Sequence, residues 1–171
     1  MQIEIRPMMK TDCEAVGSLH ARAWLEAYRG IIHDEFLDSV SIEKRIENWQ
    51  KDFEKYQHLT RLVAVLENKV VGFVVGDKER EEIPEIESEL WSLYVDPDYY
   101  RRGVGEKLYY ALVEEFQKQN FKNMNVWVLP ANTRAVSFYQ KMGGELTSFK
   151  KTVTVGEQKL PHISYLRNLN Q

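Results

Sequence analysis

The stretch from Glu89 to Leu108, ELWSLYVDPDYYRRGVGEKL, brings together residue types that can hold an anion. Leu90 to Val95 is apolar and aromatic, and Asp96-Pro97-Asp98 interrupts it. Arg101-Arg102-Gly103-Val104-Gly105 then opens a segment whose apolar residues Val104, Leu108, Ala111, Leu112 and Phe116 recur at helical spacing. A strand, a basic glycine-containing turn and a helix start make a phosphate cradle. The first N–H groups of a helix have no intrahelical partner and carry partial positive charge, while Gly103 and Gly105 put no side chain in a phosphate's way. A plain strand-to-helix connection with glycines for tight packing satisfies the same residues. Glu87 and Glu89 lead into the apolar strand as i and i+2, which puts both carboxylates on one face. His20, His33, His58 and His162 lack ligand spacing and Cys13 is the only cysteine, so neither a metal site nor an intrachain disulfide is expected.

The elements around that stretch follow from pattern. Gln2 to Arg6 alternates as a short half-buried strand ended by Pro7. Thr11 and Glu14 have capping-box spacing ahead of a helix carrying Val16, Leu19, Ala23, Trp24, Ala27 and Tyr28, which Gly30 stops. A broken helical region covers Asp34 to Tyr56, its aromatic residues reading as core. Arg61 to Leu66 and Val70 to Gly76 form a hairpin around Glu67-Asn68-Lys69. Between Asp77 and Glu89 seven acids gather around Pro84, a solvated loop leading to the central strand. The central helix ends near Asn120, Met124 to Val128 is a further strand, and Asn132 caps a short helix stopped by Gly143-Gly144. A last hairpin turns at Gly156. The order predicts one mixed α/β domain over residues 1–171, with antiparallel hairpins and one parallel crossover around the central helix.

Composition narrows the function classes. The chain has 171 residues, 43% hydrophobic and 29% charged, enough to bury a core without staples. A net charge of −3 argues against general binding of nucleic acid, which needs clustered excess Lys and Arg. MQIEIRPMMK has no apolar signal core and no run approaches the ~18 apolar residues of a membrane span, so no membrane association is expected and the cytoplasm is the expected compartment. Neither G-x-x-x-x-G-K-[ST] nor G-x-G-x-x-G occurs, which disfavours a P-loop or dinucleotide-binding protein.

Taken together, LYVDPDYYRRGVGEKL and LPANTRAVSFYQKMGGE resemble the GNAT superfamily of acetyl-CoA-dependent N-acetyltransferases, over nearly the whole chain. The family's pyrophosphate motif, Q/R-x-x-G-x-G/A, falls on Tyr100, Arg101, Arg102, Gly103, Val104 and Gly105, with Tyr100 in place of the usual Gln or Arg. The second motif falls on Asn132, Ala135, Phe138, Tyr139 and Gly143. The resemblance implies a GNAT-like fold: a central, mixed, mostly antiparallel sheet flanked by helices, with a splayed parallel strand pair at the CoA site. It implies acetyl-CoA as cosubstrate, no metal, and often a homodimer. By the same resemblance the backbone of Leu93, Tyr94 and Val95 would pair with the pantetheine arm, and the N–H groups of Arg101 to Gly105 would hold the pyrophosphate. Asn132 would bond the arm, and Tyr139 would act as general acid for the leaving thiolate.

Transfer to nitrogen needs a neutral amine, and a carboxylate can take the proton; Glu89 is the expected base, with Glu87 or water as alternatives. A strand N–H, of Val95 or Tyr94, would stabilise the oxyanion. Trp24, Tyr28 and Ile31 stand where a GNAT acceptor pocket would begin, and Glu87 adds an acid to its mouth. A polyamine such as spermidine would suit the acidic loop; a protein or peptide N-terminus, an amino acid or an aminoglycoside fits the same reading. The alternative is a non-catalytic acetyl-CoA-binding regulatory domain.

Overall fold

The computed structural model describes residues 2–170. Seven strands form a single sheet in the order β1-β2-β3-β4-β5-β7-β6. They are β1 (Glu4–Pro7), β2 (Thr60–Leu66), β3 (Lys69–Lys78), β4 (Ser88–Val95), β5 (Asn123–Val128), β6 (Glu145–Val155) and β7 (Gln158–Asn168). The helices are α1 (Cys13–Tyr28), α2 (Asp34–Asp38), α3 (Ile42–Lys55), α4 (Val104–Lys118) and α5 (Thr133–Lys141). Every neighbouring pair is antiparallel except β4 and β5. This is the mixed α/β architecture expected, with the broken helical region resolved into α2 and α3.

Period-two alternation sorts side chains to the two faces of the sheet. Leu62, Ala64, Val74 and Leu90 pack with Leu108, Leu112 and Phe116 of α4 on one face. Val63, Phe73 and Val75 pack with Val16, Leu19 and Ala23 of α1 and with Trp49 and Phe53 of α3 on the other. A smaller cluster of Ile32, Leu37, Leu129 and Leu160, with Trp24, Tyr28, Ile31 and Phe36, lies under the β6–β7 hairpin.

Two features of β4 prepare the site. Its pairing with β3 slips between Val75↔Ser92 and Gly76↔Leu90, so one extra residue, Trp91, sits in β4 as a bulge. Its parallel pairing with β5 extends only over Ser88, Glu89 and Leu90, against Met124, Asn125 and Val126. Beyond Leu90 the two strands part, while Leu93, Tyr94 and Val95 stay paired to Val74, Phe73 and Gly72. The side of β4 facing β5 is therefore an open edge inside the sheet.

One expected local feature differs. The Thr11–Glu14 capping box is not used; the Asp12 carboxylate instead accepts the Met9 N–H at 2.7 Å and two bonds from Arg6 at 2.7 and 2.9 Å. A turn of 3-10 helix at Lys10–Asp12 precedes α1, and the Asp12 carboxylate closes the start of that turn.

Candidate functional site

The turn between β4 and α4 is fixed by a buried carboxylate. Asp96 accepts the Asp98 N–H at 3.2 Å and an Arg22 N–H at 2.5 Å, tying the turn to α1. Pro97 starts a single 3-10 turn, and the chain then passes through two left-handed residues, Arg101 (φ 60°) and Gly103 (φ 78°). A left-handed conformation is ordinary for glycine and costs an arginine of order 1 kcal/mol, so this bend stores strain at the helix start. Gly103 is the N-cap residue of α4 and no side chain caps the helix. The leading N–H groups of α4 thus face outward with the helix dipole behind them, which is the donor set a phosphate takes.

Above this turn lies a cavity of about 710 Å³. Leu93, Tyr94 and Val95 form one wall, Tyr100, Arg101, Gly103, Val104 and Gly105 the floor, and Asn132 and Tyr139 the wall given by α5. The structure thus assembles in one place residues drawn from both sequence motifs. Arg102 is outside it, exposed with its guanidinium 5.3 Å from the Tyr99 ring. The open edge of β4, the glycine floor and the uncapped helix suit CoA: an amide-bearing arm beside a strand edge, a pyrophosphate on backbone N–H groups.

At the irregular position, Tyr100 brings its own cation. Arg134 of α5 donates to the Tyr100 hydroxyl at 3.2 Å and lies 4.3 Å above its ring. Positive charge missing from the motif's first residue is therefore supplied from the other wall, by a residue the sequence did not single out. Asn132 uses Oδ1 to accept the Ala135 N–H at 3.1 Å, capping α5 and leaving its NH₂ for a ligand.

Three tyrosines converge beside this cavity. Tyr139 is 8% exposed, and burial pushes its phenol well above the usual value, with Tyr28 and Tyr109 adding to the shift. Burial raises Tyr94 too, and its hydroxyl stands 3.4 Å from that of Tyr28. A raised phenol stays protonated at neutral pH, which fits Tyr139 to donate a proton rather than to accept one.

The expected acceptor residues and the expected bases part company. Trp24, Tyr28 and Ile31 do come together, with ring centroids of Trp24 and Tyr28 5.0 Å apart and Phe36 6.1 Å from Trp24. Glu89 and Glu87 do not reach the cavity. Glu89 is 1% exposed, and Arg80 holds its carboxylate through its backbone N–H and Nε, both at 3.3 Å, and through Nη2. Glu87 accepts the Lys122 N–H at 2.8 Å, at the end of β4 furthest from the turn. Other acids of this loop are also engaged: Glu79 accepts the N–H groups of Glu81 and Ile83, Glu81 pairs with Lys151, and Asp77 lies 3.4 Å from His58. Among the described residues no group of His, Cys, Asp and Glu side chains is gathered as a metal site would be, and no helix is long and apolar enough to cross a membrane.

The model of the acetyltransferase (GNAT) family matches residues 15–144. An uncharacterized N-acetyltransferase of Archaeoglobus fulgidus is 30% identical over 144 residues, covering 80% of this chain and 89% of that protein. The spermidine N(1)-acetyltransferase of Thermoplasma acidophilum is 25% identical over 147 residues, covering 84% and 88%. Among solved structures, the PaiA N-acetyltransferase of Thermoplasma acidophilum in complex with coenzyme A superposes with a TM-score of 0.77 at 23% identity, covering 98% of this chain and 99% of that one.

Proposed function

The chain belongs to the acetyltransferase (GNAT) family and is an acyltransferase; from that premise we propose that it transfers the acetyl group of acetyl-CoA to a primary amine by direct attack of the nitrogen on the thioester. The observation that carries this reading is the parting of β4 from β5 directly above an uncapped helix start, with the protonated Tyr139 hydroxyl on the facing wall.

Each residue then has a task. The N–H groups of Arg101 to Gly105 bind the pyrophosphate, with Arg134 adding charge through Tyr100. The open edge of Leu93 to Val95 and the Asn132 amide hold the pantetheine arm in register. Acetyl-CoA supplies the activated acyl group. As nitrogen attacks, a strand N–H of Tyr94 or Val95 donates to the oxygen that gains charge. Tyr139 gives its proton to the departing sulfur and prevents it from leaving as a free thiolate. Because Glu89 is committed to Arg80 and Glu87 to Lys122, we assign the amine's proton to water at the cavity mouth rather than to either carboxylate.

The test is release of free thiol from acetyl-CoA with a panel of amines: polyamines, amino acids, aminoglycosides and a short peptide. Amine-dependent release with one acetylated product per thiol is expected. Tight binding of acetyl-CoA without turnover of any amine would make this a regulatory binding domain instead.

A further inference from the structure

Arg45 is a cation without a counter-ion at the acceptor side of the site. It projects from α3, half-buried, with its guanidinium 5.6 Å from the Trp24 ring centroid. Among the described residues no carboxylate lies within salt-bridge distance of it. Among the described residues the one side-chain polar atom within hydrogen-bond distance of it is His20 Nε2, at 3.5 Å. His20 Nδ1 accepts the Trp49 Nε1–H at 3.1 Å, and burial keeps the ring neutral, so its single proton sits on Nε2. Two donors therefore face each other, and Arg45 finds no acceptor there. A guanidinium taken partly out of water beside apolar and aromatic groups needs an anion.

The surroundings say where that anion sits. Trp24 also packs on Tyr28, whose hydroxyl stands 3.4 Å from that of Tyr94. Tyr94 and Tyr139 both line the cavity above the β4–α4 turn. Arg45 is thus linked to the cavity wall at Tyr94 through His20, whose ring centroid is 4.8 Å from that of Tyr94. No carboxylate of the 77–89 loop pairs with Arg45, and most of those acids are engaged by Arg80, Lys151, Lys122 and the loop's own amides.

Resting on the acetyltransferase reading, we propose that the acceptor is an amine of amino-acid size carrying a carboxylate, which Arg45 holds while the amino nitrogen faces the thioester. The apolar residues Trp24, Ile31, Phe36 and Leu160 take its side chain. A polyamine, which would put a second cation beside Arg45, is disfavoured.

Matched trios test this: phenylalanine, phenylalaninamide and phenethylamine, then leucine, leucinamide and isopentylamine, with spermidine alongside. A charged hydrogen-bonded pair predicts that the free acid exceeds its amide and its decarboxylated form in kcat/KM by about 10- to 100-fold. Arg45→Gln should erase that ratio and Arg45→Lys keep part of it, with acetyl-CoA affinity by calorimetry unchanged in both. Equal use of acid and amide, preference for spermidine, or an unchanged ratio in Arg45→Gln would overturn the proposal. Calorimetric binding of the same compounds to the CoA-loaded protein separates the two readings. Carboxylate-dependent binding without turnover would keep the Arg45 site and reject catalysis. Turnover without carboxylate preference would do the reverse.

Discussion

Replacing Glu89 by Gln distinguishes a carboxylate that anchors a loop from one that moves a proton. Its side chain is 1% exposed, whereas that of Arg80 is 46% exposed, and three Arg80 donors converge on it. Breaking a fully buried ion pair costs about 3–5 kcal/mol. That full cost is not reached here, because the released guanidinium can turn to water and the glutamine keeps one carbonyl acceptor. Loss of charged hydrogen bonds worth about 1.5–3 kcal/mol each, partly retained, gives an expected cost of about 2–3 kcal/mol. For a chain of this size that is a fall in Tm of about 4–12 °C. Thermal unfolding with and without the substitution reads this directly. The pH–rate profile of Glu89→Gln, taken well below its Tm, should keep the shape of the wild-type acidic limb. An unchanged Tm together with a flattened acidic limb would refute the anchoring role and make Glu89 the base.

Tyr139→Phe should lower kcat by about 10²–10⁴-fold with acetyl-CoA affinity little changed, as read by steady-state kinetics and calorimetry; an unchanged kcat would reject its role as acid. His20 titrates at about 3 in the folded protein against 6.5 unfolded, so between those values the unfolded chain binds the extra proton. Stability should therefore rise with pH across that window and be lost as pH falls through it, by about 1.4 kcal/mol per unit. Urea unfolding between pH 6.5 and 5 measures this slope, which His20→Gln should reduce. Gly76→Ala would place a Cβ 2.7 Å from Phe116 Cζ and 2.8 Å from the Glu89 carbonyl oxygen, and should cost about 1–3 kcal/mol by denaturant titration.

Much of this molecule was legible because its local chemistry agrees with its fold. The near-continuous apolar runs Arg61 to Leu66 and Val70 to Gly76 match strands buried on both faces, and Glu67 and Asn68 take the positive φ that their hairpin turn requires. Gly103 and Asn132 declare their positions through backbone conformation, one left-handed and one capping. Partnership was what the sequence could not display. Glu89 shares a strand face with the acceptor side, yet its fate depends on Arg80, nine residues away on a loop folding back over it. The acids from Asp77 to Glu89 read as an attractant for cations, but an acid is available only if no closer donor takes it, and most of these are taken. Tyr100 departs from the motif, and the cation set against it, Arg134, lies 34 residues further on. Arg45 shows the converse: one arginine among the 23 basic residues in sequence, it is distinctive only once its surroundings prove empty of carboxylate.

Amide hydrogen exchange with and without saturating acetyl-CoA tests most directly whether this backbone holds the cosubstrate. Protection should concentrate at Arg101 to Gly105 and along the open edge of Leu93 to Val95, with little change in the β1–β2 pair. Unchanged exchange at those amides under saturation, or protection confined to the β6–β7 hairpin, would contradict acetyl-CoA binding between the parted strands.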